Sequence, residues 1–374
     1  MTKSLPFYSA SDEADLLLLS QRLKTAYASA SKMLPATDEG DTDDDDSVTW
    51  SPETFTLAPS PDLIGIDPAV YRQLEAAIKA GKRHIMLYGP PGTGKTELAR
   101  YVAASLHHKW RMITGSSDWT SQDIIGGYQP IGEGKIGFQT GILLREFDRP
   151  LIIDELNRCD IDKVIGPLFT VLSGQSSTLP YRVDVSDEKS EQYVILPQPK
   201  PERESYEFAP TDAWRIIATI NTIDKASLYQ MSYALSRRFA WIYVGVPQDL
   251  SGFAKDFLAG RGISPSFEAQ SPSVIPAVWA EINKVREIGA APIIDAIKTA
   301  LIVEPTLDFF SSVTTDSQRV AYLDGLNMFV LPMLDGVEWT KAEQLGTSLC
   351  VALGINEGSD LAKSLFLRLR ELSI

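Results

Sequence analysis

The chain has 374 residues, a formal charge of −14, two cysteines and an apolar share of 44%, enough for two or three domains with full hydrophobic cores. The charge argues against a globally basic nucleic-acid-binding surface, although it leaves room for a local basic pore or groove. No stretch approaches the ~18 apolar residues of a membrane helix, and Leu16-Leu17-Leu18-Leu19 lacks the flanks of a signal peptide, so a cytoplasmic protein without membrane contact is expected.

Residues 11–34 read as a helix with an apolar stripe, followed by the acidic run 38–46, which is too charged to bury and is expected to be a disordered tether or, as the second reading, a lure for a basic partner. From Pro61 strands and helices alternate, the mark of a parallel sheet covered on both faces. Asp67-Pro68 opens a helix that closes at Gly81, with Leu74 and Ile78 inward. Strands are expected at 84–88, 111–114, 151–153, 214–220 and 241–246. Two insertions interrupt them: 126–139, glycine-rich and hairpin-like, and a longer segment around Pro197-Gln198-Pro199-Lys200-Pro201. Each is either a partner contact or surface elaboration. After Pro247 helical spacing takes over, with Trp279, Ile282, Val285, the run 293–301 and the run 361–372 forming an α-helical lid. Cys159 and Cys350 have no partners at disulfide-framework or zinc spacing and are expected to be buried thiols, and His84, His107 and His108 to pack or face solvent. The expected domains are 1–60, 61–247 and 248–374.

Gly89-Pro90-Pro91-Gly92-Thr93-Gly94-Lys95-Thr96 fits G-x-x-x-x-G-K-[ST] between a strand and a helix. Such a loop aims backbone N–H groups and a helix N-terminus at one point, as a polyphosphate requires. Lys95 is expected to reach the β- and γ-phosphates and the Thr96 hydroxyl to ligate Mg²⁺. Glu97 and Ile66 complete the expected nucleotide contacts. Leu151-Ile152-Ile153-Asp154-Glu155 ends an apolar strand in two acids, Asp154 for the metal and Glu155 to polarise water. Asn221 ends the next apolar strand, either as a turn residue or beside the γ-phosphate. Arg237 and Arg238 precede the last strand, too far along the fold for their own phosphates; they are a surface pair or they serve the nucleotide of an adjacent subunit.

This order of motifs resembles the AAA+ ATPases, and within them the branch of MoxR-type chaperones, dynein-related modules and McrB-type motor subunits. The resemblance rests on residues 89–96, on Gly126-Gly127-Tyr128 with Gly141-Ile142-Leu143-Leu144-Arg145, on 152–158, on Asn221-Thr222-Ile223-Asp224 and on 234–239. It spans roughly residues 61–300. It implies a homo-oligomeric ring, often a hexamer, that hydrolyses nucleotide with an arginine finger in trans and remodels or translocates a protein partner. It also makes 126–139 one hairpin insertion and 181–210 a second. Arg286 becomes the lid arginine that senses the γ-phosphate, although the basic residue expected after Gly289-Ala290-Ala291-Pro292 is missing. ATP is the expected nucleotide. GTP stays open because McrB-type motors use it, but Thr222 stands where a guanine-reading N-K-x-D motif has lysine. The alternatives are a GTPase driving a separate nuclease on nucleic acid, and a nucleotide-gated scaffold with little turnover.

Overall fold

A computed structural model describes residues 54–132, 135–166, 168–222, 232–260, 274–309 and 312–374. All belong to the compact unit 45–374. The expected N-terminal helix, the acidic run, and Ile223 and Asp224 lie outside the described residues.

Asp67 caps helix α1 (Pro68–Lys79) by accepting from the Ala69 amide at 2.7 Å, with proline in the first helical turn where no N–H is missed. The chain then runs through β1 (His84–Gly89), α2 (Lys95–Leu106), β2 (Arg111–Thr114), β3 (Gly126–Gly132), β4 (Lys135–Thr140), β5 (Pro150–Asp154), β6 (Ser177–Arg182), β7 (Gln192–Ile195), β8 (Glu207–Phe208), β9 (Arg215–Asn221) and β10 (Phe239–Tyr243). Five of these form a parallel sheet in the order β10-β1-β9-β5-β2. Alternation along each strand divides the core between the two faces. Ile85, Leu87, Ile152, Ile217 and Ile242 pack with α1 and α2. Met86, Leu151, Ile153, Ile216 and Ile220 pack on the other side with Leu143, Leu168 and Trp214. His84 is buried there, its Nδ1 accepting from the Ile216 amide at 3.1 Å, and burial pushes it down to about 3, so it is a neutral packing group.

The expected five-stranded core is present, with the last strand two residues earlier than read because its ladder starts at Phe239 opposite His84. The first insertion is the antiparallel hairpin β3–β4. The second is not a simple hairpin: β6 and β7 pair antiparallel and β8 adds to β7 in parallel. The two insertions join through rings, Phe138 lying 4.5 Å from Tyr193 and Tyr128 5.1 Å from Tyr181. The Tyr128 hydroxyl also accepts from the Arg182 amide.

Among the described residues six helices follow: α3 (Leu250–Ala259), α4 (Val274–Val285), α5 (Ala290–Val303), α6 (Asp316–Phe329), α7 (Trp339–Ala352) and α8 (Asp360–Leu372). They share one core that includes Trp279, Ile282, Tyr322, Leu349 and Leu365. Both cysteines are buried and free. No helix among the described residues is long and apolar enough to cross a membrane.

Candidate functional site

The loop from β1 to α2 depends on its glycines. Gly89, Gly92 and Gly94 have φ of +155°, +75° and +83°, a region that side-chain-bearing residues rarely adopt. A Cβ on Gly89 would come 2.1 Å from the Val244 carbonyl, and one on Gly92 would come 2.6 Å from the Pro292 ring. Gly94 caps α2 without any side-chain hydrogen bond, so the first amides of the helix have no capping side chain to satisfy them. Ile66 flanks this point, its Cδ1 3.7 Å from where a Gly94 side chain would begin. Glu97 is exposed in the first helical turn and lies 3.5 Å from Arg100.

Lys95 is buried, its Nζ donating to the carbonyls of Gly89 (3.1 Å) and Pro90 (2.6 Å). Burial lowers its ammonium to about 8, opposed by the nearby charges of Asp154 and Glu155. The Thr93 hydroxyl donates to the Pro90 carbonyl at 3.1 Å and fixes the loop's turn.

Because β5 lies beside β9, and β9 beside β1, the ends of all three strands meet under the loop. Asp154 Oδ1 accepts from the Thr96 hydroxyl at 2.8 Å and from the Thr219 hydroxyl at 2.6 Å. Thr219 also accepts from the Glu155 amide at 2.9 Å, so one buried hydroxyl holds both acids. Glu155 has φ +52°, the one positive value at a non-glycine among the described residues. Its Oε1 accepts from Asn221 Nδ2 at 3.3 Å and its Oε2 from Arg158 Nε at 2.7 Å. Backbone strain of this kind concentrates at functional sites. Thr222 donates its amide to the Gly89 carbonyl at 3.0 Å, which ties the end of β9 to the loop.

Thr219 and Arg158 lay within the motifs read from sequence but had no role there. Thr219 was detectable as a hydroxyl two residues before Asn221, hence on the same face of an otherwise apolar strand.

The arginine pair sits at the other end of the sheet. Phe239 is paired with His84, where β1 begins, whereas the loop starts at Gly89, where β1 ends. At about 3.3 Å per residue that separation is about 16 Å, beyond the reach of an arginine side chain. Arg237 is exposed, and Arg238 donates to the Ser173 hydroxyl. The helical turn carrying the pair is held by Ser232, which bonds Asp162 through its amide (2.8 Å) and hydroxyl (3.0 Å).

Arg286, expected to sense the γ-phosphate, is placed within the lid. Its Nη1 donates to the carbonyls of Met333 (2.6 Å) and Asp335 (3.0 Å). The lid meets the loop through backbone instead: Gly289 N–H donates to Pro91 O at 2.9 Å and Ala291 N–H to Gly92 O at 3.0 Å. Trp279 and Asn283 shape this turn through the carbonyl and the amide of Ile288, at 2.7 and 2.9 Å.

These residues fit a Mg²⁺-nucleotide: a glycine cradle that side chains would fill, a helix N-terminus without a capping side chain, a buried ammonium, and a hydroxyl–carboxylate pair of hard oxygen donors. A stretch of 75 residues is 35% identical to the Holliday junction branch migration complex subunit RuvB of Mycoplasma pneumoniae, covering 18% of this chain and 24% of that protein. Another of 85 residues is 32% identical to Midasin of Dictyostelium discoideum, covering 22% of this chain and 1% of that protein. The chain thus spans a quarter or less of the length of these relatives. Among solved structures, a point mutant of Thermotoga maritima RuvB aligns over 83% of this chain and 91% of its own, at 18% identity and a TM-score of 0.44. The AAA domain family (dynein-related subfamily) matches from β1 to the start of β10, and residues 84–239 of this chain belong to it as an AAA+ ATPase domain of the dynein-related type.

Proposed function

We propose that the chain is a nucleoside triphosphatase working in an oligomeric ring, which couples hydrolysis to remodelling or translocating a polypeptide partner in the manner of the MoxR-type chaperones. The observation that carries this reading is the joint tethering of Asp154 and Glu155 by Thr219, with Thr96 on the first acid and Asn221 on the second. One buried hydroxyl thereby aims a metal-binding carboxylate and a basic carboxylate into the space beneath a phosphate loop.

In this reading the amides of 92–96 and the Lys95 ammonium hold the phosphates, and Thr96 with Asp154 holds Mg²⁺. The metal, when bound, neutralises charge shared between the β- and γ-phosphates. Glu155 accepts a proton from the attacking water, and Asn221 keeps its carboxylate near the loop. Lys95 gives up its carbonyl partners on Gly89 and Pro90 to meet the phosphates. Most of the catalysis is positioning and charge stabilisation.

The distance from Arg237 and Arg238 to their own loop supports service to a neighbouring subunit, as an arginine finger in trans. The description of the RuvB relatives as subunits of a complex is consistent with that assembly. Asn221 points to the phosphate end through Glu155, and Thr222 stands where a guanine-reading lysine would, which favours ATP over GTP. A formal charge of −14 favours a polypeptide over nucleic acid. The test is Glu155→Gln: nucleotide affinity by fluorescent-analogue titration is expected to stay within twofold of the parent while ATP turnover is lost. Retained turnover would remove Glu155 from the mechanism.

A further inference from the structure

Both oxygens of the carboxylate that the proposed mechanism uses as a base already carry a partner. Oε1 takes the Asn221 amide at 3.3 Å and Oε2 takes the Arg158 guanidinium at 2.7 Å. The two partners are unequal. Asn221 sits at the end of a central strand, its neighbour Ile220 fully buried. Arg158 ends a single 3₁₀ turn, Leu156–Arg158, and 59% of its side chain is exposed. The turn itself makes the pairing. Glu155 in the left-handed region starts it, the Arg158 amide donates back to the Glu155 carbonyl at 2.9 Å, and the i,i+3 geometry lays one side chain over the other.

Resting on Glu155 as the base, we propose that Arg158 is a positioning residue that restrains hydrolysis, holding the Glu155 carboxylate away from water until its guanidinium is drawn off. A base offers a lone pair. A guanidinium N–H on Oε2 takes one of that oxygen's two lone pairs and stabilises the anion, which lowers its basicity toward the attacking water until the pair opens. Arg158 is the partner that can leave cheaply, since an exposed ion pair is weak and its head group is already largely hydrated. Neither substrate nor phosphate needs to touch Arg158 for this effect, so its influence falls on turnover and spares binding.

The experiment compares parent, Arg158→Gln, Arg158→Lys, Glu155→Gln and the double variant Glu155→Gln with Arg158→Gln, using full-length protein at several concentrations. Steady-state ATP hydrolysis and fluorescent-nucleotide titration are measured for each. Arg158→Gln is expected to raise kcat about two- to fivefold, the range set by the strength of an exposed ion pair, with KM and nucleotide Kd within twofold. Arg158→Lys, which keeps the charge without the planar fork, falls between the two. The double variant is inactive. An Arg158→Gln kcat at or below the parent's with unchanged Kd overturns the proposal, as does a rise confined to dilute protein, which would mean altered assembly. If the glutamine variant does not fold, the lysine variant decides alone, and its kcat must exceed the parent's. Turnover surviving in Glu155→Gln sinks the underlying base assignment instead, a distinct result.

Discussion

Replacing Thr219 by valine keeps the shape of a fully buried side chain and deletes one hydroxyl, so it isolates the bond that ties the two acids together. The loss has two parts: Asp154 forfeits a donor at 2.6 Å while keeping that of Thr96, and the Glu155 amide is left without its acceptor at 2.9 Å. Each lost bond in a dry site costs about 1–3 kcal/mol, so the variant is destabilised by about 2–6 kcal/mol. The lid has its own hydrophobic core, so a single melting temperature would mix two regions. Amide hydrogen exchange resolves them. Peptides covering 150–158 and 215–221 should exchange at least about thirtyfold faster, since every 1.4 kcal/mol is a factor of about ten. Lid peptides serve as the internal control. Turnover should fall about tenfold or more, with a smaller change in nucleotide affinity, and Thr219→Ser should recover most of it. Parent-like exchange in 150–158 together with turnover within twofold would refute the tether.

Two further outcomes follow from the loop and the arginines. Phosphates favour the charged form of Lys95, which burial holds at about 8, so nucleotide binding should take up a proton above that pH and affinity should weaken by up to about tenfold per pH unit as pH rises beyond it. Calorimetry at pH 9 in two buffers of different ionisation enthalpy reads the uptake directly, and none at that pH would contradict the assignment. Combined replacement of Arg237 and Arg238 by alanine should leave nucleotide binding intact and abolish turnover. Mixing it with Lys95→Ala should restore activity, and mixed oligomers that form yet stay inactive would count against a finger in trans.

The central sheet was legible because its strands are short apolar runs ended by chemistry: the loop after β1, the acids after β5, the amide after β9. What the local sequence concealed was produced by distant contacts. The parallel addition of β8 to β7 is supported by Phe208 stacking near Tyr193, which itself meets Phe138 from the other insertion, a partnership spread over seventy residues. Helices α6 and α7, which the sequence reading did not single out, carry Gly325 and Gly346. In the fold each lets two helices approach: a Cβ at Gly325 would meet the Ala296 carbonyl at 2.6 Å, and one at Gly346 the Phe366 ring at 2.7 Å. In the site, Thr96, Asp154, Glu155 and Asn221 come together under the loop, whereas Arg237 and Arg238 lie at the other end of the sheet. Arg286 has its Nη1 on the backbone carbonyls of Met333 and Asp335, a pairing that no local pattern announces. Thr219 and Arg158 escaped notice because a hydroxyl inside a strand and an arginine on a turn have no chemistry until their partners are known.

The hydrogen bonds that join the lid to the loop among the described residues are all main chain, with the Pro292 ring packed on Gly92 beside them. A Cβ at Gly289 would fall 2.3 Å from the Gly92 carbonyl carbon and 2.4 Å from the Thr93 nitrogen, so the two backbones touch with nothing between them. Such a latch offers no charge for salt to screen. It registers only the path of the loop's peptide planes. Any rearrangement of residues 91–93 would therefore reach the six-helix lid as displacement rather than as an altered field, and the lid, with its own continuous core, would carry that displacement as a rigid lever to whatever it touches.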